Sequence, residues 1–230
     1  MTKTLSRKAP ASKSSAAHRS RRKPAQATQE SILKAAIKVF AKHGFDGGST
    51  QKISKVANSV DRMIYYYYGN KEGLFIAVLE AIYARFNEAE SDLELDTNDA
   101  VGSLRTIVEF MATYYQKHPE FVTLLNTENL YRGKHIAKSA HASEYSSPAV
   151  AVLAQVLKSG ASRGLFRSDV RARDVYLMIA SMGYFYVSNR FTLSAFLGEA
   201  LDTDAACSDW RKFVADAVLR TVSADSSGRK

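Results

Sequence analysis

Apolar side chains recur at helical spacing from Thr28 almost to the C-terminus. The first stripe consists of residues one turn apart on a single face: Ile32, Leu33, Ala36, Ile37, Phe40 and Ala41. This period predicts an amphipathic helix, and Gly44 is suited to end it because glycine adopts the left-handed conformation found at helix C-termini. No stretch alternates apolar and polar residues between hairpin turns, as strands would. The sequence therefore predicts an all-α fold.

Two short helices joined by a tight turn are predicted next. The first begins at Ser49 or Thr50 and stops at Asn58, a residue type that tolerates left-handed backbone. The second directs Val60 and Ile64 inward and ends before a Gly-Asn pair. In three-helix units of this kind, the second helix of the pair lies in the major groove of DNA. Because many short helix pairs only pack, this pattern alone is a loose indication of DNA binding.

The rest of the chain is also helical in pattern. A long helix opens at Lys71, and an acidic joint over residues 91–99 follows it. Further helices are predicted over 104–115, from Pro119, from Pro148 after a loop over 133–147, and over 173–190 and 207–221. The helix over 173–190 is apolar on all sides, so we expect two different partners to bury it, one of them a second subunit.

The composition allows a sizeable core and excludes several classes of protein. Of the 230 residues, 46% are hydrophobic and 24% are charged, which is typical of a globular chain. No run reaches the roughly 20 apolar residues that a membrane span requires, and the N-terminus lacks the apolar segment of a signal peptide. The single cysteine, Cys207, can form no internal disulfide. We expect a cytoplasmic protein that makes no membrane contact.

The net charge of +9 is concentrated at the N-terminus. Residues 1–24 contain eight basic side chains and no acidic one, residues 25–75 contain seven against four, and residues 76–230 contain 17 against 19. This distribution indicates a polyanionic partner near the N-terminus. We expect residues 1–27 to form a disordered basic arm, because large apolar groups are almost absent there, and residues 223–230 to form a disordered tail.

Nothing in the sequence indicates catalysis. It contains no phosphate-binding glycine loop, no Cys–His constellation and no nucleophile elbow. His135 and His141 are six residues apart, which would put them on different faces of a helix and makes them a poor metal pair. We therefore expect a protein that is not an enzyme and that uses no metal or other cofactor.

Four motifs lie in order between residues 28 and 79, at spacings that match a known pattern without insertion or deletion. They are Ile32-Leu33-x-Ala35-Ala36-x-x-x-Phe40, Gly44-Phe45, Thr50-x-x-Ile53-x-x-x-Ala57 and Ile64-Tyr65-Tyr66-Tyr67-Tyr68-Gly69-Asn70-Lys71-Glu72-Gly73-Leu74. Together they resemble the DNA-binding region of the TetR/AcrR family of transcriptional regulators. The resemblance implies a helix-turn-helix domain over residues 28–74 and a helical domain over residues 75–222 that binds a ligand and dimerises.

One segment departs from the family pattern. Where the family usually has Ala-Gly-Val-Ser-Lys-Gly, this chain has Ala-Asn-Ser-Val-Asp-Arg over residues 57–62. The capping serine is thereby displaced, so we expect Ser59 or Asp61 to bond the first amides of the recognition helix. The same change puts Asp61 where a lysine usually faces phosphate, which leaves its contact with DNA open.

The resemblance implies DNA-contacting residues on the helix pair and at the start of the next helix: Thr50, Gln51, Lys52, Asp61, Arg62, Met63, Tyr65, Tyr66, Tyr67 and Lys71. Arg62 is expected to bond a guanine edge through two hydrogen bonds, Gln51 to contact bases, and Met63 to contact a thymine methyl. The tyrosines and Lys71 are expected at phosphates, except that Tyr65 could serve either DNA or the core.

The resemblance also implies a ligand pocket among the central helices and a dimer interface formed by the last two. The predicted pocket residues are Phe110, Met111, Tyr114, Tyr115, Phe121, Leu125, Asn126, Asn129, Met178, Met182 and Phe185. The predicted interface residues are Tyr176, Ala180, Gly183, Tyr184, Val187, Trp210, Phe213, Val214 and Ala217. Asn126 and Asn129 would orient a ligand, and the aromatic lining favours a hydrophobic or aromatic one.

The expected function is a ligand-responsive regulator, with repression as its mode. It binds double-stranded DNA at a palindromic operator as a homodimer, and a small-molecule effector releases it. Two alternatives stay open at this point. The C-terminal domain could only dimerise or bind a protein, or the chain could package nucleic acid through its basic arm. Likewise, the arm could be a solubilising tail or a reader of the minor groove, and Lys52 could belong to a merely solvated helix face.

Overall fold

Residues 14–96, 98–144 and 147–224 are described by a computed structural model, in which they form nine α-helices and no strand. The helices are α1 Ser14–Gly47, α2 Thr50–Ala57, α3 Asp61–Tyr68, α4 Lys71–Ser91, α5 Ala100–Lys117, α6 Pro119–Leu130, α7 Ser147–Ser162, α8 Ala172–Leu197 and α9 Asp204–Val222. Two short 3-10 turns, Ile136–Lys138 and Ala142–Glu144, lie between α6 and α7. The all-α prediction is confirmed. No helix in this part of the chain is long and apolar enough to cross a membrane.

The first helix is longer than the sequence predicts. It begins at Ser14 rather than Thr28 and continues through Pro24, although proline disfavours a helix interior. The structure thus gives residues 14–27 helical backbone, where the sequence predicts a disordered arm. Residues 1–13 of that arm, and residues 225–230 of the predicted tail, lie outside the described residues.

The termini of α1 and α2 follow local signals in the sequence. Gly44 interrupts α1 with φ of 67° and ψ of −178°, a combination that only glycine adopts without strain. The Ser49 hydroxyl accepts a hydrogen bond from the Lys52 backbone N–H at 3.2 Å and caps α2. Asn58 ends α2 with φ of 50° and ψ of 46°, so the chain turns sharply and α3 can begin at Asp61. These ends agree with the predicted ones.

A shared core holds α1 to α4 together. Its fully buried side chains include Ile32, Phe40, Ile53, Ile64, Leu74 and Phe75. The Ser31 hydroxyl on α1 also donates a hydrogen bond to the Ala57 carbonyl at 3.0 Å, which fixes the end of α2. By contrast, α3 buries a single side chain, Ile64. Most of the α3 surface is therefore left outside the core.

The remaining helices surround α5, which packs against α7, α8 and α9. Met111 of α5, Ile179 of α8 and Val218 of α9 are all buried in this part of the core. The long helix α4 belongs to both groups, since Leu74 is buried near its start and Phe86 near its end. It therefore spans both groups of helices, and α1 also joins them through its contact with α6.

The last two helices extend beyond their predicted ends. α8 continues past Arg190 to Leu197, where Gly198 ends it with φ of 70°. Residues 191–197 contain no glycine or proline, so nothing local stops the helix where its continuous apolar pattern ends. α9 begins at Asp204, because the Thr203 hydroxyl caps it by accepting a hydrogen bond from the Ala206 N–H at 3.2 Å.

Candidate functional site

The α2–α3 pair presents the side of α3 opposite Ile64 to solvent. Arg62 is exposed there, and Tyr65 and Tyr66 are 51% and 76% exposed. Gln51 on α2 is exposed as well, as is Lys52, whose ammonium donates a hydrogen bond to the Gly47 carbonyl at 2.9 Å. These five side chains of the predicted DNA-contacting set are available to a partner.

Four other members of that set are less accessible. Thr50 is buried, and Met63 and Tyr67 are half-buried against the core. The Asp61 carboxylate accepts a hydrogen bond from the Ser54 hydroxyl, so it binds α2 instead of facing outward. The prediction of a DNA contact does not fit the buried Thr50. Thr50 is the first residue of α2, the helix that packs most extensively against α1.

Two side chains at the edge of the helix pair hold it onto α1. The Lys71 ammonium donates a hydrogen bond to the Asp46 carbonyl at 3.1 Å and lies 4.7 Å from the centre of the Phe45 ring. The Tyr68 hydroxyl donates to the Gln29 carbonyl at 3.0 Å, and burial raises the pKa of Tyr68 to about 12. Tyr68 is thus a packing residue, while the phosphate contact of Lys71 stays a prediction.

The N-terminus of α3 differs from the sequence expectation. Val60 is the N-cap residue and is 60% exposed, so the prediction that it points inward is wrong. No side-chain hydrogen bond caps the helix at this residue. Neither Ser59 nor Asp61 is the N-cap residue, and the Asp61 carboxylate is bonded to α2.

A cavity of about 490 Å³ lies between α4, α5, α6 and α8. Its lining residues are Tyr83, Phe86, Tyr115, Phe121, Leu125, Asn129, Ile136, Ala142, Tyr176, Leu177, Ala180, Ser181 and Tyr184. The volume lies within the range of small-molecule sites in proteins. The sequence predicts Tyr115, Phe121, Leu125 and Asn129 as pocket residues, and the structure brings these four together.

The cavity is aromatic and uncharged. Six of its lining residues are Phe or Tyr, and none of those in the described part of the chain is Lys, Arg, Asp or Glu. Burial raises the pKa of Tyr83 to about 12 and also raises the pKa of Tyr115 and Tyr176. Their hydroxyls are therefore neutral at physiological pH, and they offer hydrogen bonds without charge.

Seven predicted pocket residues do not line this cavity: Phe110, Met111, Tyr114, Asn126, Met178, Met182 and Phe185. Met111 is fully buried among the helices. Asn126 is occupied within the protein, since its amide donates to the Ser188 hydroxyl at 3.0 Å and its carbonyl accepts from the Tyr184 hydroxyl. Helical spacing shows which residues share a face but does not show which neighbour that face meets.

The structure exchanges two faces of α8: most of the face predicted to bind a partner subunit lines the cavity, and part of the face predicted to line the pocket is exposed. Tyr176, Ala180 and Tyr184, expected at a dimer interface, line the cavity, whereas Phe185, expected in the pocket, is 56% exposed. Gly183 packs on α5, where an added Cβ would lie 3.1 Å from a ring carbon of Tyr115. Because α8 is apolar all round, its sequence contains no polar face from which the orientation could be inferred.

An apolar surface remains exposed along α8 and α9. Phe213 is 58% exposed, and Trp210 stacks on it with the ring centres 5.3 Å apart. Ala217 is half-exposed on the same side of α9. Val187 and Val214 are buried within the subunit, so the prediction of interface contacts is wrong for these two.

A buried contact between Glu128 and His135, which the sequence does not indicate, lies beside the cavity. The Glu128 carboxylate accepts hydrogen bonds from the backbone N–H groups of His135 at 2.7 Å and Ile136 at 2.9 Å. Its second oxygen lies 2.7 Å from Nδ1 of His135, and both side chains are buried. We call this arrangement of Glu128, His135 and Ile136 the Glu128 joint. Sequence patterns do not reveal it, because the two partners are separated by a turn.

The Glu128 joint contacts the cavity on one side and the helices α1 and α4, which pack against the helix pair, on the other. Ile136 lines the cavity, while the His135 ring packs on Phe45 and Phe75, with ring centres 4.6 Å and 5.0 Å away. The neighbouring Tyr131 donates a hydrogen bond from its hydroxyl to the Asp46 carboxylate at 2.5 Å. The segment after α6 thus bridges from the cavity to the end of α1 and the start of α4.

The last turns of α4 hold two buried oxygens that have no hydrogen-bond partner in the described part of the chain, Asn87 Oδ1 and Glu90 Oε2. Burial raises the pKa of Glu90 from 4.5 to about 7. Glu90 lies on the same side of α4 as Tyr83 and Phe86, one turn beyond the cavity lining. The sequence points to neither of these two residues; it indicates only the acidic stretch over residues 91–99 that follows them.

A close helix pair with an exposed second helix, joined to a helical domain with a cavity, is typical of helix-turn-helix transcriptional regulators. Two family models match the chain. One described as bacterial regulatory proteins, tetR family, matches residues 32–78, and one described as tetracyclin repressor-like, C-terminal domain, matches residues 101–218. The chain belongs to the TetR family, as its motifs predicted, and it is a regulator and not an enzyme.

Relatives and solved structures agree with this family. The chain is 52% identical over 200 residues to the HTH-type transcriptional repressor NicS of Pseudomonas putida. This match covers 87% of this chain and 94% of that protein. The fatty acid degradation regulator FadR from Bacillus halodurans has a TM-score of 0.63 at 21% identity, covering 83% and 93% of the two chains. A TetR family regulator from Marinobacter aquaeolei has a TM-score of 0.61 at 20% identity, covering 89% and 100%.

Replacing Glu90 by Gln should stabilise the protein at pH 8 and not at pH 4.5. The unfolded carboxyl loses its proton near pH 4.5 and the folded one near pH 7, so the wild type loses stability as the pH rises between these values. We expect the unfolding free energy of Glu90→Gln to exceed that of wild type by about 1–3 kcal/mol at pH 8. Urea unfolding over this pH range measures the difference, with the exposed Glu88→Gln as control. A difference that does not change with pH would contradict the assignment.

Proposed function

We propose that this protein is a transcriptional repressor that binds a palindromic operator as a homodimer and is released by a small aromatic or hydrophobic effector. The observation that carries the proposal is the Glu128 joint, which contacts the aromatic cavity on one side and the helix-turn-helix unit on the other. Repression is inferred from similarity to a protein named as a repressor.

Operator reading is assigned to the exposed side of α3. Arg62 lies in its first turn, where recognition helices contact base edges, and its guanidinium suits the O6 and N7 atoms of guanine. Gln51 approaches bases from α2, while Lys52, Tyr66 and Lys71 contact phosphates. The basic residues 1–24 add affinity and faster association that depend on salt, without adding sequence preference.

Dimerisation is assigned to the exposed apolar surface of α8 and α9. Its central residues are Met178, Met182, Phe185, Trp210, Phe213 and Ala217. Pairing this surface with its copy about a two-fold axis would form a four-helix interface and remove Phe185 and Phe213 from water. A two-fold dimer also places two recognition helices against successive major grooves, about 34 Å apart.

Effector binding is assigned to the aromatic cavity. Rings on four helices can cover an apolar molecule, and the neutral tyrosine hydroxyls with Asn129 can orient it. An effector that contacts Ile136 acts directly on the Glu128 joint, and through the His135 ring on Phe45 and Phe75. A coupling free energy of about 1–3 kcal/mol would change operator affinity by roughly 5- to 150-fold.

The base-reading role of Arg62 can be separated from the phosphate role of Lys71. Arg62→Ala should lower the free energy of discrimination at one base pair of each half-site by about 1–3 kcal/mol, because it removes a contact with one base. Lys71→Ala should weaken binding to all sequences equally and reduce the salt dependence, because phosphates are the same in every sequence. Titrations against operator variants at several salt concentrations measure both effects. Equal losses on all sequences for Arg62→Ala would disprove its base contact.

A charge placed on the apolar α8–α9 surface should separate the dimer. Phe185→Glu should raise the dimer dissociation constant at least about tenfold, because the carboxylate would lose its hydration in the interface. Sedimentation equilibrium measures this constant, and Leu130→Glu, an exposed position on α6, serves as control. An unchanged constant for Phe185→Glu would show that the dimer uses another surface.

A further inference from the structure

The N-cap position of α3 holds a residue that cannot cap a helix. Ser, Thr, Asp and Asn prevail at such positions because a side-chain oxygen accepts a hydrogen bond from the first amides. Val60 has the extended backbone of an N-cap residue, with φ of −108° and ψ of 146°, but its side chain has no oxygen and forms no such bond. Departures from local rules of this kind concentrate at functional sites.

The Val60 side chain is also not used for packing. It is 60% exposed, whereas Ile64, one turn later, is completely buried and provides the contact of α3 with the core. An apolar side chain therefore projects into solvent at the start of α3, two residues before Arg62. Valine is stiff at χ1, so its two methyl groups are held in position before DNA binds.

We propose that Val60 determines operator specificity by contacting the C5-methyl group of one thymine in each half-site. This inference rests on the proposed operator binding. The N-terminal residues of a recognition helix contact base edges, and the thymine methyl is the apolar group that DNA offers in the major groove. Met63, which the sequence suggests for this contact, is half-buried and packs against the core.

The test replaces thymine by deoxyuridine, which removes this methyl group and keeps the base pair. The full-length wild-type protein first selects its operator from random double-stranded DNA. Each thymine of the selected sequence is then replaced in turn, and the dissociation constants are measured. We expect one position per half-site at which the wild type binds about fourfold more weakly, the effect of one buried methyl-sized group. Val60→Ala should bind the DNA with thymine at that position and the DNA with deoxyuridine there equally.

Two more variants distinguish the Val60 contact from a contact made by α2 and from a change in the stability of α3. Val56→Ala removes the neighbouring exposed valine of α2 and should keep the full sensitivity to deoxyuridine. Val60→Ser supplies the missing cap, so it should raise the melting temperature of the protein while it abolishes the sensitivity.

Sensitivity that persists in Val60→Ala and Val60→Ser, or that disappears in Val56→Ala instead, would overturn the assignment. If the wild type enriches no sequence from the random DNA, operator binding itself is wrong, and the role of Val60 falls with it.

Discussion

The structure depends on one buried carboxylate. Glu128 accepts hydrogen bonds from two backbone amides and lies 2.7 Å from the ring nitrogen of His135. A buried carboxyl group is tolerated only when hydrogen bonds compensate the loss of its hydration, so this geometry fixes the segment that follows α6. That segment supplies Ile136 to the cavity and the His135 ring to the core beneath the helix pair. A change in the cavity that shifts this segment must also shift the contacts of Phe45.

The helix α8 has three faces, and each of them meets a different environment. One side, with Ile179, belongs to the core, a second side, with Ala180, lines the cavity, and the third, with Phe185, remains exposed for a partner. Gly183 allows α8 to approach α5 so closely that a side chain there would crowd Tyr115. A partner subunit and an effector would therefore act on the same helix from different sides.

The sequence predicted most of the fold because its local signals were strong. Ser49, Gly44 and Asn58 defined helix ends through chemistry that acts within a few residues, and the aromatic run before Gly69 identified the family. Features that depend on distant neighbours were missed or misplaced. The orientation of α8 could not be inferred without a polar face, and the Glu128 joint has no sequence signature. Val60 was expected inside because an apolar residue usually packs, whereas here its position at a helix start leaves it exposed.

The central claim is that the cavity controls DNA binding, and filling the cavity by mutation tests it without knowledge of the effector. Ala180→Trp would place an indole in the cavity, which has room for it. The operator dissociation constant of this variant should rise about 5- to 150-fold while the protein stays folded and dimeric. Ala154→Trp, on the exposed side of α7, should leave it unchanged. A folded Ala180→Trp dimer that binds the operator as tightly as wild type would contradict the account.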